Sequence, residues 1–339
     1  MQQSGEKITY REYKTLPLLA DEETLSLEEN LIKDRSRITL ECTVASLENA
    51  VLILGHGYGL SFGGWIELTA TSIAAYNYFH FKSEPLCTVL EPTAHGLKIC
   101  GKIKIEIIKD TLGGSKVIIT TTRGTTTVPV PGIAGYHGAP CVTVKGGAIQ
   151  DVTLSRQSDC YSDPIWVFGD SYLNHTDDDR WPYYLYRDGY SKLLLAGYGG
   201  MGSAAGLDEF KRALRFGKPT IALWCLGMNN GDGDKNTPNE KWLLATEEFL
   251  QICYENGIEP ILATIPSTPK VNNEPKNSWV RTSGRRYIDF NRAVGADRNI
   301  EWLDGMLTPD LVHPAPAGAI ALYKRVLQDV PEIKKMACV

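Results

Sequence analysis

The chain has 339 residues, room for two domains of ordinary size, with 43% hydrophobic and 22% charged residues. The formal net charge is −5 and no Lys/Arg run is long enough to track a phosphate backbone, which excludes nucleic acid as the expected partner. No apolar stretch reaches the roughly 20 residues that a bilayer crossing needs.

Residues 1–7 are polar and carry no apolar segment of the secretory type, so a cytoplasmic protein is expected, a longer secreted precursor being left open. Cysteines stand at 42, 87, 100, 141, 160, 225, 253 and 338. None forms a Cys-x-x-Cys pair and no histidine is arrayed with them, so neither a metal nor another cofactor is expected. Cys42 and Cys225 sit in apolar runs, as buried free thiols do, which favours a reducing compartment.

Residues 1–35 are charged and predict a lead-in strand and loops. From Arg37 onward the pattern is that of strands. Ile38, Leu40, Cys42 and Val44 alternate with polar residues, one face inward and one toward water. Similar runs follow at Ala50–Leu54, Trp65–Ala70, Lys102–Ile108, Lys116–Thr122, Cys141–Lys145 and Ile149–Leu154. Glycine-rich turns separate them (Gly55-His56-Gly57, Gly63-Gly64, Leu112-Gly113-Gly114, Gly146-Gly147). The threonines of Thr120–Thr127 suit a pleated surface better than a helix. Many short strands at regular spacing predict an all-β sandwich. By the order of its runs, residues 37–155 resemble the jelly-roll sandwich of concanavalin-like, carbohydrate-associated domains. Trp65, Tyr76, Tyr78 and Phe79 are then candidate sugar platforms, with core packing the reading to beat for Trp65. His80, His95 and His137 have no ligand spacing and read as loop or surface residues.

After Asp159 the chain alternates strand and helix. Pro164–Phe168, Lys192–Ala196, Thr220–Leu226 and Ile258–Ile265 read as strands, with a short one at Ile300–Leu303. Asp179–Asp188, Leu207–Phe216, Asn239–Glu255, Trp279–Val294 and Ala315–Leu327 read as helices, and Pro266–Ser278 as a long loop. Thr220–Leu226 is continuously apolar, as a strand buried on both faces must be. The alternation predicts an α/β parallel sheet with helices on both faces, and loops at the carboxyl ends of its strands sharing one rim. The boundary is placed between a sandwich domain of residues 1–157 and an α/β domain of residues 158–339.

Four stretches fall on that rim: Gly169-Asp170-Ser171, then Gly197-Tyr198-Gly199-Gly200-Met201-Gly202-Ser203, then Gly227-Met228-Asn229-Asn230, and last Asp310-Leu311-Val312-His313-Pro314. Together they hold the nucleophile, base, orienting carboxylate and oxyanion donors that acyl transfer requires. A serine after Gly-Asp is by itself usually a turn. In this order, over residues 160–330, the blocks resemble those of the SGNH (GDSL-type) hydrolases.

The resemblance implies a flavodoxin-like sheet and hydrolysis of carboxylic esters through an acyl-serine, without a metal. It makes Ser171 the nucleophile, His313 the base and Asp310 its orienter. The oxyanion donors would be the N–H of Ser171, the N–H of Gly202 (Gly200 is the rival) and the amide of Asn229. Two departures stand out: Tyr172 where leucine is common and Asn230 where aspartate is usual.

Gly200, Met201, Met228, Trp279 and Arg281 are expected to line the substrate site. Asp177-Asp178-Asp179 reads as helix-start capping and Asp232–Asn236 as a loop that lacks a calcium loop's later ligands. The expected activity is a serine esterase acting on a short acyl group, O-acetyl on a carbohydrate. The alternatives are a lipase- or thioesterase-like acyl hydrolase, for which Met201 and Met228 would furnish an apolar cleft, or a glycan-binding protein with an inert hydrolase domain. The expected partner is a small-molecule or oligosaccharide ester, and association of the chain with itself is left open.

Overall fold

The computed structural model describes residues 10–28, 36–56, 64–77, 87–90, 99–109, 114–131, 139–173, 180–231, 237–295 and 301–338. Tyr78, Phe79, His80, His95, His137, the aspartates 177–179 and the loop 232–236 lie outside these residues. The chain divides into two units, Thr9–Asp159 and Cys160–Val339.

The first unit is built from β1 (Tyr10–Leu19), β2 (Thr24–Ser26), β3 (Ser36–Val44), β4 (Val51–His56), β5 (Gly64–Leu68), β6 (Ser72–Asn77), β7 (Cys87–Leu90), β8 (Gly101–Lys109), β9 (Gly114–Thr121), β10 (Gly124–Pro131), β11 (Pro140–Lys145) and β12 (Ile149–Ser158). They form two antiparallel sheets, β1-β12-β3-β8-β9-β10 and β2-β11-β4-β5-β6-β7. The alternating residues of both sheets (Leu40, Ile105, Ile119 and Leu154 from one; Leu52, Ile66, Ile73 and Val142 from the other) meet in one buried core. This is a β-sandwich. Residues 10–26, expected as a single lead-in strand with loops, supply an edge strand to each sheet. Pro129 and Pro131 are tolerated in β10 because it is an edge strand that pairs only with β9.

Trp65 lies on the face opposite this core. It is paired across the ladder with Tyr76, their rings stacked at 5.8 Å and 17°, and it is nonetheless buried. It is therefore neither a core-filling residue of the sandwich nor an exposed platform.

The second unit alternates β13 (Ile165–Gly169), α1 (Trp181–Arg187), β14 (Leu193–Gly197), α2 (Ser203–Ala213), β15 (Ile221–Cys225), α3 (Glu240–Glu255), β16 (Glu259–Ala263), α4 (Glu274–Thr282), β17 (Tyr287–Ile288), α5 (Phe290–Val294), α6 (Pro316–Asp329) and α7 (Ile333–Met336). The sheet is wholly parallel, in the order β14-β13-β15-β16-β17. Numbered within the unit, that order is the flavodoxin-like 2-1-3-4-5.

Every residue of β13 and β15 is buried, because each strand is covered on both sides. Ile165, Val167 and Leu223 pack with Trp181, Leu185 and Leu322. On the other parity Phe168 meets Phe210 edge to face at 5.2 Å, and Trp224 stacks on Phe249 at 4.5 Å.

Three elements differ from expectation. The helix expected over 279–294 is two helices and a strand. Gly284 at φ +70° follows the end of α4, Tyr287 and Ile288 pair with β16, and Asp289 caps α5 by accepting the Arg292 N–H. α4 itself occupies part of the expected 266–278 loop. α2 begins at Ser203, four residues before the expected Leu207, because its first turn of small residues carries no apolar stripe. Gly206 there is packed so closely that a Cβ would lie 2.1 Å from Leu226 Cδ1. Residues 301–303 make no strand; Trp302 forms only an isolated bridge to Gly295.

Candidate active site

β14, β13 and β15 end in register, Gly169 opposite both Gly197 and Cys225. The loops that leave them therefore open on one rim, at the point where the strand order reverses. Close packing selects glycine at two of these ends. A Cβ on Gly169 would come 2.7 Å from Leu173 Cγ, and one on Gly197 would come 2.7 Å from the Gly169 carbonyl oxygen. With both side chains absent, Ser171–Leu173 folds back as a single 3-10 turn over the strand ends, and Ser171 is placed at its start.

The turn is held by Asp170, whose Oδ1 accepts the Tyr172 N–H at 3.1 Å and whose carbonyl accepts the Leu173 N–H at 3.0 Å. Burial pushes the Asp170 carboxyl up to about 7, against the opposing pull of the backbone N–H bonds and of Arg180.

The fourth block meets this turn from 142 residues away in sequence. Ser171 Oγ lies 2.9 Å from His313 Nε2, and His313 Nδ1 lies 2.6 Å from Asp310 Oδ2. Leu311, at φ +61°, turns the segment so that Asp310 Oδ1 accepts the N–H groups of Val312 (2.8 Å) and His313 (3.0 Å). The Thr308 hydroxyl lies 2.6 Å from the same oxygen. Partial burial works against the Asp310 charge. The bonds from His313, Thr308 and the two backbone N–H groups outweigh it and hold the carboxyl well below the usual carboxylate range.

The second and third blocks are tied to each other. Asn229 Nδ2 donates to the Met201 carbonyl at 3.2 Å, which leaves the second proton of that amide uncommitted by this bond. Asn230 bridges to the start of α2: its Oδ1 accepts the Ser203 N–H at 3.1 Å and its Nδ2 donates to Ser203 Oγ at 2.8 Å. Gly202 is the N-cap residue of α2, directly beneath this brace. Gly200 is exposed, at φ +83°.

The side chains of the remaining candidates have other partners. Met201 is fully buried, its methyl group over Gly206, and Met228 is buried with its sulfur near Asn273 Nδ2. Arg281 pairs with Glu274 and Asp289, each at 3.1 Å, and braces α4 to α5. Trp279 packs edge to face on Trp242 at 5.5 Å.

The residues that sequence reasoning missed as contributors are Tyr172, Thr308 and Asn230. Only the departures at 172 and 230 gave a signal. Among the described residues no group of three or more His, Cys, Asp or Glu side chains could hold a metal ion, and Cys42, Cys100, Cys225, Cys253 and Cys338 are free thiols.

The sandwich carries a separate groove of about 450 Å³ on the face of β12-β3-β8-β9 turned away from its core. Glu41, Thr43, Lys102, Lys104, Thr120 and Asp151 line it.

No family model and no curated protein matches the chain. Solved structures do. A lipolytic protein of the G-D-S-L family from Desulfitobacterium hafniense DCB-2 is 20% identical, covering 49% of this chain and 98% of its own, at a TM-score of 0.42. TesA is 22% identical, covering 50% and 98%, at 0.40. The acetyl xylan esterase AlAXEase is 18% identical, covering 49% and 98%, at 0.40. The chain is similar to these structures over about half its length.

Proposed function

We propose that this protein is a serine esterase that cleaves short acyl esters through an acyl-serine on Ser171. The observation that carries the reading is the continuous chain from Ser171 Oγ to His313 Nε2 (2.9 Å) and from His313 Nδ1 to Asp310 Oδ2 (2.6 Å). In the first step Oγ attacks the ester carbonyl as Nε2 takes its proton. Asp310, kept ionised by its bonds, fixes the Nδ1–H tautomer and stabilises the imidazolium. The oxyanion is received by the N–H groups of Ser171 and Gly202 and by the Asn229 amide, each such donor being worth about 3 kcal/mol of barrier. His313 returns the proton to the leaving alcohol. A water then repeats the sequence on the acyl-serine, releasing the acid. The intact chain of three groups argues against an inert hydrolase unit.

A short acyl group is favoured because the side chains of Met201 and Met228 are buried and do not supply the apolar cleft that a long chain would need. A sugar hydroxyl is proposed as the esterified alcohol, an assignment that rests on the accompanying sandwich and its groove of hydroxyl, carboxylate and ammonium groups. The test is hydrolysis of p-nitrophenyl esters of increasing chain length, with acetate release from acetylated oligosaccharides, by wild type and Ser171→Ala. Acetyl esters should be preferred and the variant should fall to the uncatalysed background. Activity surviving in Ser171→Ala removes the mechanism, and a preference for long chains removes the substrate class.

A further inference from the structure

The peptide unit that joins Val312 to His313 is held at both ends. Its N–H donates to Asp310 Oδ1 at 3.0 Å. Its carbonyl accepts the Tyr172 hydroxyl at 2.5 Å. The first bond is local, three residues apart, and turns with the loop as a body. The second crosses from the nucleophile's own 3-10 turn, and it joins the residue after Ser171 to the residue before His313.

Tyr172 is itself fixed. Its N–H is held by Asp170, its ring is buried, and it lies 6.1 Å from the imidazole, centroid to centroid. Burial holds the phenol well above its ordinary range, so the group stays an O–H donor across the working pH range.

We infer that Tyr172 is a positioning residue for His313, its hydroxyl tying the base's backbone to the nucleophile's turn so that Nε2 stays within reach of Ser171 Oγ. The inference rests on the proposed roles of Ser171 and His313. Asp310 sets the rotation of the imidazole about its own loop, and Val312 packs that loop against the apolar cluster of Ile165, Val167 and Tyr172 without a directional bond to the nucleophile's turn. The Ser171–His313 bond cannot serve this purpose during turnover, because it is broken and remade as the proton moves. The Tyr172 hydroxyl supplies a link beside it that stays unchanged as the proton moves.

The test compares Tyr172→Phe and Tyr172→Leu with wild type and Ser171→Ala. For each, kcat and KM on p-nitrophenyl acetate, the rate constant for phosphonylation of Ser171 by a fluorophosphonate, and the melting temperature are measured. A displaced base slows both reactions of the same oxygen without changing how the ester docks. The expected result is that kcat falls roughly ten- to a hundredfold in both variants, with KM within about twofold, and that phosphonylation slows by the same factor. Rates within about twofold of wild type overturn the inference, as does a loss confined to KM. Variants that fail to fold also overturn it, since the hydroxyl would then hold the fold and not the base. Ser171→Ala separates the two levels: if it is inactive while Tyr172→Phe matches wild type, only the positioning role falls, whereas activity in Ser171→Ala removes the triad reading itself.

Discussion

Two carboxylates flank the proposed chemistry, and their surroundings drive them in opposite directions. Asp310 accepts four hydrogen bonds from its own loop and stays ionised. Asp170 is buried with its carboxyl raised to about 7. The linkage for Asp170 has a definite sign. Its folded-state value lies above the ordinary aspartate value of about 4, so between pH about 4 and about 7 the folded protein holds a proton that the unfolded chain has released. Its contribution to stability is therefore full below pH about 4 and is lost as pH rises through about 7. Asp170→Asn keeps the acceptor for the Tyr172 N–H and removes the titration. The melting temperature of this variant relative to wild type should rise between pH 5 and 8, and a difference that does not change with pH would refute the assignment.

The strand ends show why small residues recur along the rim. Gly197 has no room for a side chain, because the Gly169 carbonyl stands 2.7 Å and Leu173 Cβ 3.0 Å from where its Cβ would be. The carbonyl is main chain at the carboxyl end of a buried strand and cannot give way. Gly197→Ala should cost about 1–3 kcal/mol, the range for overpacking a closed site. Urea unfolding followed by tryptophan emission would measure this, since Trp65 alone lies outside the second unit. The same scale accounts for the misplaced helix boundaries. A periodicity read across 279–294 bridges Gly284, and Ser283-Gly284 followed by Asp289 was legible as a stop and a new start. The first turn of α2 was not legible, since Ser203-Ala204-Ala205-Gly206 has no stripe and is helical because it packs close to Leu226.

At the scale of the molecule, the residues of the sandwich core and those of the helix-covered sheet form separate buried clusters. A cavity cut in one should therefore weaken that unit's own strands. Ile105→Ala, at a fully buried site, is expected to cost the sandwich about 2–5 kcal/mol. Hydrogen exchange should rise in β3, β8 and β9 and stay unchanged in β13 and β15. Equal loss of protection in both sets would show a shared unit of unfolding. Among the described residues no helix is long and apolar enough to cross a membrane.

The sequence by itself determined the fold classes and offered the groups proposed to react. Two-residue alternation in Ile103–Ile107 and a continuous apolar run in Thr220–Leu226 can be satisfied only by a half-covered and a fully covered strand. Gly-Asp-Ser and Asp-x-x-His carry their chemistry in a few adjacent residues. Tertiary structure alone decided what reaches across the chain. Met201 could face a cleft or the core until Gly206 and Leu226 enclosed it, and Arg281 could meet a substrate until Asp289 claimed it. The tyrosine beside the nucleophile was a departure without a role until the fold brought the Val312 carbonyl to its hydroxyl, because a bond spanning 140 residues leaves no local pattern.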